Sequence, residues 1–190
     1  MRRFYTVATA TAAILFLMAR PVTAQNLLTN GSFETGTFSG WTQGGNSGFD
    51  GVFCPGGAPD GNCQAFFGAI GSNSTLSQTV NTQLGALYNL SFWFDPDGNT
   101  PSFFDVSWGG TSLFSVTNSA DDPYTLKTFQ DLVGQAGSTT LTFTFRDDPG
   151  FQFLDDVRVT SVTPEPATMS LMATGLVGIV GAGLRRRKRA

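Results

Sequence analysis

The sequence predicts an all-β domain, folded as an antiparallel β-sandwich, over residues 25–162. Sixteen of the 18 phenylalanines and 19 of the 23 glycines lie between residues 25 and 163, a composition that favours strands and turns over helices. Apolar side chains recur at every second position in several short segments, which is the period of a half-buried strand. Clusters of Gly, Pro, Asp and Asn separate these segments and indicate turns.

The predicted strands follow one another at short intervals, in the order 64–69, 75–80, 88–94, 104–106, 112–116, 125–132, 139–146 and 154–162. The clearest is 139–146, in which Leu141, Phe143 and Phe145 alternate with threonine and so share one face. Turn signals lie at 96–99, 109–110, 121–123 and 147–150. Eight to ten short strands with no helix between them predict a two-layer sandwich.

The charges of the central segment exclude several classes of function. Residues 25–163 hold thirteen acidic side chains but only three cations, Lys127, Arg146 and Arg158. Nucleic acid is not an expected partner, because nothing here builds a basic face. The chain has no histidine, which excludes a Ser-His-Asp triad and a histidine-ligated zinc site. The remaining classes of function are catalysis by carboxylates, binding of a hard metal ion, and ligand binding without catalysis.

The N-terminus predicts a secretory signal peptide over residues 1–24. Met1-Arg2-Arg3 is basic, residues 7–19 are apolar, and Val22-Thr23-Ala24 fits a cleavage site. The alternative is a first membrane span, for which about 13 apolar residues is short.

Three features follow one another in the C-terminal segment 163–190. Pro164, Glu165 and Pro166 form a stiff, extended linker. Residues 167–184 carry no charge and extend about 27 Å as a helix, which predicts a short transmembrane helix. The tail 185–189 is entirely basic and begins with Arg185, Arg186 and Arg187, so it is expected on the cytoplasmic side.

This order closely resembles the PEP-CTERM sorting signal of exported proteins in Gram-negative bacteria. The resemblance implies export through the inner membrane, transient anchoring by the C-terminal helix and processing at the Pro-Glu-Pro region by an exosortase-like enzyme. The implied destination is the cell surface or the extracellular polysaccharide matrix. A plain C-terminal anchor is the alternative.

A second resemblance joins the two ends of the central domain. The opening, Asn26–Glu34 followed by Phe38-Ser39-Gly40-Trp41, and the closing Leu154-Asp155-Asp156-Val157 are similar to the galactose-binding-like jelly rolls of many carbohydrate-binding modules. The resemblance covers about 130 residues. It implies a jelly roll whose first and last strands lie side by side, with a glycan as the expected ligand.

Three carboxylates are the predicted ligands of a structural calcium. Jelly rolls of the resembled kind often hold Ca²⁺ where the first and last strands meet. Glu34 is expected at the end of the first strand, and Asp155 and Asp156 are expected to open the last, which implies these three as ligands. A buried carboxylate without a basic partner is unfavourable, and Ca²⁺ binds carboxylate and carbonyl oxygens. Neighbours in a strand point to opposite faces, so only one of the two aspartates can face inward. The alternative is that these acids cap turns in water.

Four further predictions concern single positions. Cys54 and Cys63, the only cysteines, are expected to form a disulfide in an exported protein. Trp41 and Trp108 are expected in the core. Trp93 lies opposite its apolar strand neighbours and is the predicted sugar-stacking residue, with packing between layers as the alternative. Asp147-Asp148 is interpreted as a turn, with metal binding less favoured.

These features predict an exported protein without catalytic activity that binds extracellular polysaccharide. One alternative is a glycoside-active enzyme, which needs two carboxylates about 5–10 Å apart. The other is a structural or adhesive matrix module without a small ligand. A cleft with an acid of raised pKa favours the enzyme, whereas an exposed aromatic platform favours glycan binding.

Overall fold

A computed structural model describes residues 24–162, which form two antiparallel five-stranded sheets. The strands are β1 (Thr42–Gly45), β2 (Gly51–Phe53), β3 (Gln64–Phe67), β4 (Ser74–Thr82), β5 (Leu87–Pro96), β6 (Ser102–Trp108), β7 (Thr111–Thr117), β8 (Thr125–Val133), β9 (Gly137–Asp147) and β10 (Gln152–Ser161). The first sheet has the order β1-β4-β9-β6-β7, and the second has the order β2-β3-β10-β5-β8. The predicted all-β sandwich is therefore confirmed.

The sheets enclose a core that is mainly aromatic. Leu141, Phe143 and Phe145 of β9 are fully buried, as their alternation with threonine predicts. Phe145 stacks on Phe67 of the second sheet, with ring centroids 3.6 Å apart. Phe104 is also fully buried and packs against aromatic rings from both sheets: Phe92, Phe94, Phe143 and Phe145.

The core positions predicted for two of the tryptophans are confirmed. Trp41 and Trp108 are buried. The Trp41 indole N–H donates to the Asn30 carbonyl (3.0 Å), and that of Trp108 donates to the Val133 carbonyl (2.9 Å). Each buried ring therefore keeps a partner for its polar atom.

The N-terminal segment differs from the prediction of a first strand that ends at Glu34. No regular strand lies between residues 24 and 41, because Asn30 and Phe33 adopt left-handed backbone conformations, with φ of 53° and 57°, and these interrupt an extended chain. The segment nevertheless runs beside β10, where the Leu27 N–H donates to the Val159 carbonyl (2.8 Å) and the Val157 N–H donates to the Gly31 carbonyl (2.9 Å). The two chain ends are neighbours as predicted, without a full strand ladder.

Several predictions fall outside the described residues. These are residues 1–23 of the signal peptide, the linker residues Pro164, Glu165 and Pro166, the helix 167–184 and the basic tail 185–189. Within residues 24–162, no helix is long and apolar enough to span a membrane.

Candidate functional site

The outer face of the second sheet carries the candidate binding surface. Trp93 of β5 lies opposite Asp155 of β10 on one side and Leu126 of β8 on the other. Asp95 of β5 lies opposite Phe153, which in turn lies opposite Phe66 of β3. Since alternate residues share a face, these side chains form two adjacent rows across the sheet. We call them the outer face: Phe53, Gln64, Phe66, Trp93, Asp95, Leu126, Phe153 and Asp155.

The outer face combines apolar surface with hydrogen-bonding groups. Trp93 and Phe153 are half-buried, while Phe53 is 55% and Leu126 49% exposed. Asp95 contributes a carboxylate whose pKa is raised by burial and by the negative charges of neighbouring aspartates. Trp93 is therefore on the outward side of its strand, as predicted. The same alternation along β5 would also have predicted that Asp95 lies on this face.

Tyr124, which the sequence analysis missed, reaches across the outer face. It precedes β8, and its hydroxyl donates to Gln64 Oε1 (3.1 Å) on β3. Burial and the nearby Asp155 and Asp95 carboxylates raise the pKa of the Tyr124 hydroxyl, so it stays a neutral donor at physiological pH. The sequence feature that could have drawn attention to Tyr124 is the Asp-Asp-Pro turn directly before it.

The predicted Cys54–Cys63 disulfide is confirmed. The loop that it closes supplies a hydrogen bond to Asp155, from the Asp60 N–H to Oδ2 (2.9 Å), and the Asp156 N–H reaches Oδ1 (2.7 Å). Asp155 is fully buried. Burial raises its pKa to about 7; these two N–H donors oppose the rise, and the Asp156 and Asp60 charges add to it.

The other two predicted calcium ligands have different partners. Glu34 Oε1 accepts the N–H groups of Asn62 (2.8 Å) and Cys63 (2.7 Å) in the disulfide loop. Asp156 is partly buried and Oδ1 accepts a hydrogen bond from Arg158 Nε (2.6 Å). Asp155 lies on the outward side of the sheet with Trp93 and is buried by contact with the disulfide loop, and the chain bulges between Asp155 and Arg158.

These contacts do not fit a cation held jointly by Glu34, Asp155 and Asp156. Glu34, Asp155 and Asp156 are held by separate donors of the protein, and within residues 24–162 no three Asp, Glu or Cys side chains converge as a metal centre. Calcium at this position stays a prediction.

The surface grooves bear on the enzyme alternative. One groove of about 480 Å³ runs along Leu27, Tyr88 and Val162 and has no carboxylate in its lining. Two smaller grooves do contain carboxylates: Asp121 and Asp122 line one, and Asp60 and Asp156 line the other. Asp155 has the pKa of an acid catalyst, but it is fully buried and both of its oxygens accept backbone N–H groups. Because it is fully buried, it is not accessible to a substrate.

Comparison with known proteins identifies the C-terminal segment. Residues 162–188 match the family model of the PEP-CTERM protein-sorting motif. The motif indicates an exported protein that is sorted at the membrane. Comparison of the whole sequence with curated proteins finds no match.

Comparison with solved structures identifies the fold of the sandwich. The structure of TmCBM61 in complex with β-1,4-galactotriose has a TM-score of 0.60 and 22% identity, covering 73% of this chain and 99% of that chain. The CBM22-1 xylan-binding domain of Paenibacillus barcinonensis Xyn10C has a TM-score of 0.53 and 19% identity, covering 75% and 97%. The K1 cleaved adhesin domain of Lys-gingipain from Porphyromonas gingivalis W83 has a TM-score of 0.54 and 15% identity, covering 70% and 96%. The chain thus combines a jelly-roll sandwich of the carbohydrate-binding-module fold with a PEP-CTERM protein-sorting motif.

Proposed function

We propose that the protein is a non-catalytic glycan-binding protein of the cell surface or extracellular matrix, and that the outer face holds the glycan. The observation that carries the proposal is the position of Trp93, which stands outside the core on a sheet face that also presents Asp95 and the Tyr124–Gln64 pair. An aromatic ring stacks on the apolar face of a sugar, and fixed polar groups orient the sugar hydroxyls.

The arrangement of the outer face suits an extended ligand. Its exposed apolar side chains, Phe53 and Leu126, lie on the two outermost strands of the sheet, β2 and β8. Trp93 lies on β5 beside β8, and Tyr124 reaches from the start of β8 to β3. A chain of several sugar units crossing the strands would meet Leu126, Trp93 and then Phe53.

Export supports an extracellular polysaccharide as the partner. The sorting motif at 162–188 and the predicted signal peptide 1–24 direct the chain out of the cell. An exosortase-type enzyme processes the tail and ends the anchoring by the predicted helix 167–184. Two of the similar structures are a galactotriose complex and a xylan-binding domain, so β-linked neutral polysaccharides are the first ligands to test.

A glycan array probed with the full-length chain, purified in detergent, tests the proposal. Any glycan that binds is then titrated against Trp93→Ala and against Phe103→Ala. Phe103 is the matched control, because it is also half-buried but lies on the outer face of the other sheet. Loss of a central aromatic contact weakens binding by about 2 kcal/mol, or roughly thirty-fold in Kd.

Each result of this experiment has a defined meaning. Binding that is weakened by Trp93→Ala and unchanged by Phe103→Ala supports the outer face. Equal binding by all three proteins places the glycan elsewhere. No binding to any glycan favours a structural or adhesive module, and release of shortened sugar products shows that the protein is an enzyme.

A further inference from the structure

One end of the sandwich is densely acidic. It is formed by the loops 46–50, 68–73, 97–101, 118–124 and 148–151 together with the strand ends that they join. We call it the acidic end. Its carboxylates are Asp50, Asp95, Asp97, Asp121, Asp122, Asp147 and Asp148. Arg146 is the cation beside them, and its guanidinium lies 3.5 Å from Asp148.

Asp147 is buried at this end without a partner. It is the last residue of β9 and shares the inward face of Phe143 and Phe145. Its exposed fraction is 1%, and neither of its carboxylate oxygens has a hydrogen-bond donor. A buried carboxylate without a partner is strongly unfavourable, and the protein supplies no hydrogen-bond donor to Asp147.

Asp97 faces Asp147 across Gly150. Its two oxygens accept the N–H groups of Asn99 (3.0 Å) and Phe151 (2.7 Å), which fix the carboxylate in place. A Cβ atom on Gly150 would lie 2.6 Å from Asp147 Oδ1 and 2.6 Å from Asp97 Oδ2. The two oxygens are therefore within twice that distance of each other, and only glycine at this position leaves the gap between them open.

The unpartnered polar atoms give an independent indication of a missing ligand. Within residues 24–162, the buried side-chain oxygens that lack a hydrogen-bond partner all lie at the acidic end, and those of Asp147, Ser102 and Gln152 belong to the ends of β9, β6 and β10. The Gln152 amide donates to the Arg146 carbonyl (3.3 Å), which places its unpartnered Oε1 beside β9. Ser102 lies directly opposite Asp147 in the β6–β9 ladder.

One shared proton cannot satisfy all of these unpartnered oxygens. A proton shared between Asp147 and Asp97 satisfies one carboxylate oxygen and leaves the second Asp147 oxygen and Gln152 Oε1 without a donor. A cation contacts several oxygens at once. Two carboxylates balance a divalent charge, and Ca²⁺ accepts amide and other neutral oxygens beside them, whereas Mg²⁺ requires a tighter octahedron.

We propose that the acidic end binds one Ca²⁺, with Asp97 and Asp147 as its charged ligands and with Gln152 Oε1 and Ser102 Oγ as neutral ligands. The neutral oxygens are essential, because no three Asp, Glu or Cys side chains of the described residues converge as a metal centre. This site is separate from Glu34, Asp155 and Asp156, and it does not depend on glycan binding.

Calcium titration of the metal-free, full-length chain in detergent tests the site, with Ca²⁺ itself as the probe. Calorimetry gives the number of bound ions, and thermal unfolding in Ca²⁺ or chelator gives the stabilisation. Asp147→Asn and Asp97→Asn should each lose one equivalent of Ca²⁺, or bind it at least tenfold more weakly. Asp121→Asn is the matched control, since it removes the same charge from an exposed position of the same end. Glu34→Gln reports on the other predicted site.

Three results would overturn the proposal. One is a wild-type chain that binds no Ca²⁺ at millimolar concentration. Another is calcium binding that is lost in Glu34→Gln but retained in Asp147→Asn and Asp97→Asn. The third combines two observations: Asp147→Asn unfolds at a higher temperature than the wild type in chelator, and calcium does not change the midpoint of the wild type. Together they would show that Asp147 and Asp97 share a proton instead of binding a cation. If Asp147→Asn does not fold, Asp97→Asn decides, because Asp97 is only partly buried.

Discussion

Removal of the Cys54–Cys63 disulfide should lower the unfolding midpoint by a calculable amount. The bond joins the end of β2 to the residue before β3, across a sequence separation of 9. Loop-closure entropy for such a loop corresponds to about 2.7 kcal/mol at 25 °C. An unfolding entropy of roughly 2.1 cal/mol/K per residue gives about 0.3 kcal/mol/K for a domain of this size, and hence a decrease of about 9 °C.

The structure predicts an additional loss beyond this entropy. The same loop holds Asp155 through the Asp60 N–H and Glu34 through the N–H groups of Asn62 and Cys63. If the open loop moves away, Asp155 loses a donor, and the decrease exceeds 9 °C. The measurement is the circular-dichroism midpoint of the Cys54→Ala/Cys63→Ala double variant against the wild type, each with and without reductant.

The controls are internal to this experiment. Reductant should bring the wild type to the midpoint of the double variant and should leave the double variant unchanged. Thiol titration of the denatured, unreduced wild type should find no free thiol. A decrease smaller than about 3 °C, or an effect of reductant on the double variant, would refute the reasoning.

Three further predictions concern the core, the pH dependence and the sorting motif. Phe104→Ala should destabilise the domain by about 3–5 kcal/mol in chemical unfolding, because a fully buried ring between both sheets is lost. The control Phe53→Ala removes a ring that is 55% exposed and should change the free energy of unfolding far less. Equal effects of the two substitutions would contradict the described core. Burial raises the pKa of Asp50, so the folded state holds this proton more tightly than the unfolded state does. Its stabilising contribution is present below the ordinary Asp pKa of about 3.9 and is lost as pH rises through the folded pKa. The unfolding midpoint of the wild type relative to that of Asp50→Asn should therefore fall as the pH rises above about 4, and an increase over the same range would show that the pKa shift has the opposite sign. Glu165→Ala should leave the chain unprocessed in the membrane fraction of a host with a matching exosortase, whereas normal size and release would rule out the sorting mechanism.

The strands that could be predicted are those with one face on the core. β9 alternates Thr with Leu or Phe over most of its length, because its threonines face solvent and its apolar residues face the other sheet. The same parity placed Trp108 inside and Trp93 outside. Side-chain period alone carries this information, so no knowledge of the partner strands was needed.

The missed strands lack that pattern. β1 (Thr42–Gly45) and β2 (Gly51–Phe53) are short, rich in glycine and at the edges of the sheets. Their ladders form because β4 and β3 supply a paired edge, which is tertiary context. The opposite error occurred at residues 26–34, where the resemblance to jelly rolls implied a first strand but Asn30 and Phe33 turn the chain.

The site shows where sequence reasoning stops. Asp147-Asp148-Pro149-Gly150 has the composition of a turn, and Asp148 does lie in one; its carboxylate also accepts the Gly71 N–H (2.9 Å) from the loop between β3 and β4. Asp147 keeps the inward parity of Phe143 and Phe145, so extension of the β9 alternation by one step would have placed it inside. That it faces Asp97 follows only from the fold, because these two residues belong to different loops and are 50 positions apart.

The charge of the domain restricts which polysaccharide the outer face can accept. Residues 25–163 hold ten more acidic than basic side chains, and the partly exposed Asp95 lies on the outer face itself. A polymer rich in uronic acids would be repelled at low ionic strength, and the repulsion would weaken as salt is added. A neutral polymer meets no such barrier and gains from the aromatic surface. Calcium at the acidic end would compensate two negative charges close to Asp95, so an acidic polymer is expected to bind more tightly when calcium is present, whereas a neutral one should bind equally in calcium and in chelator.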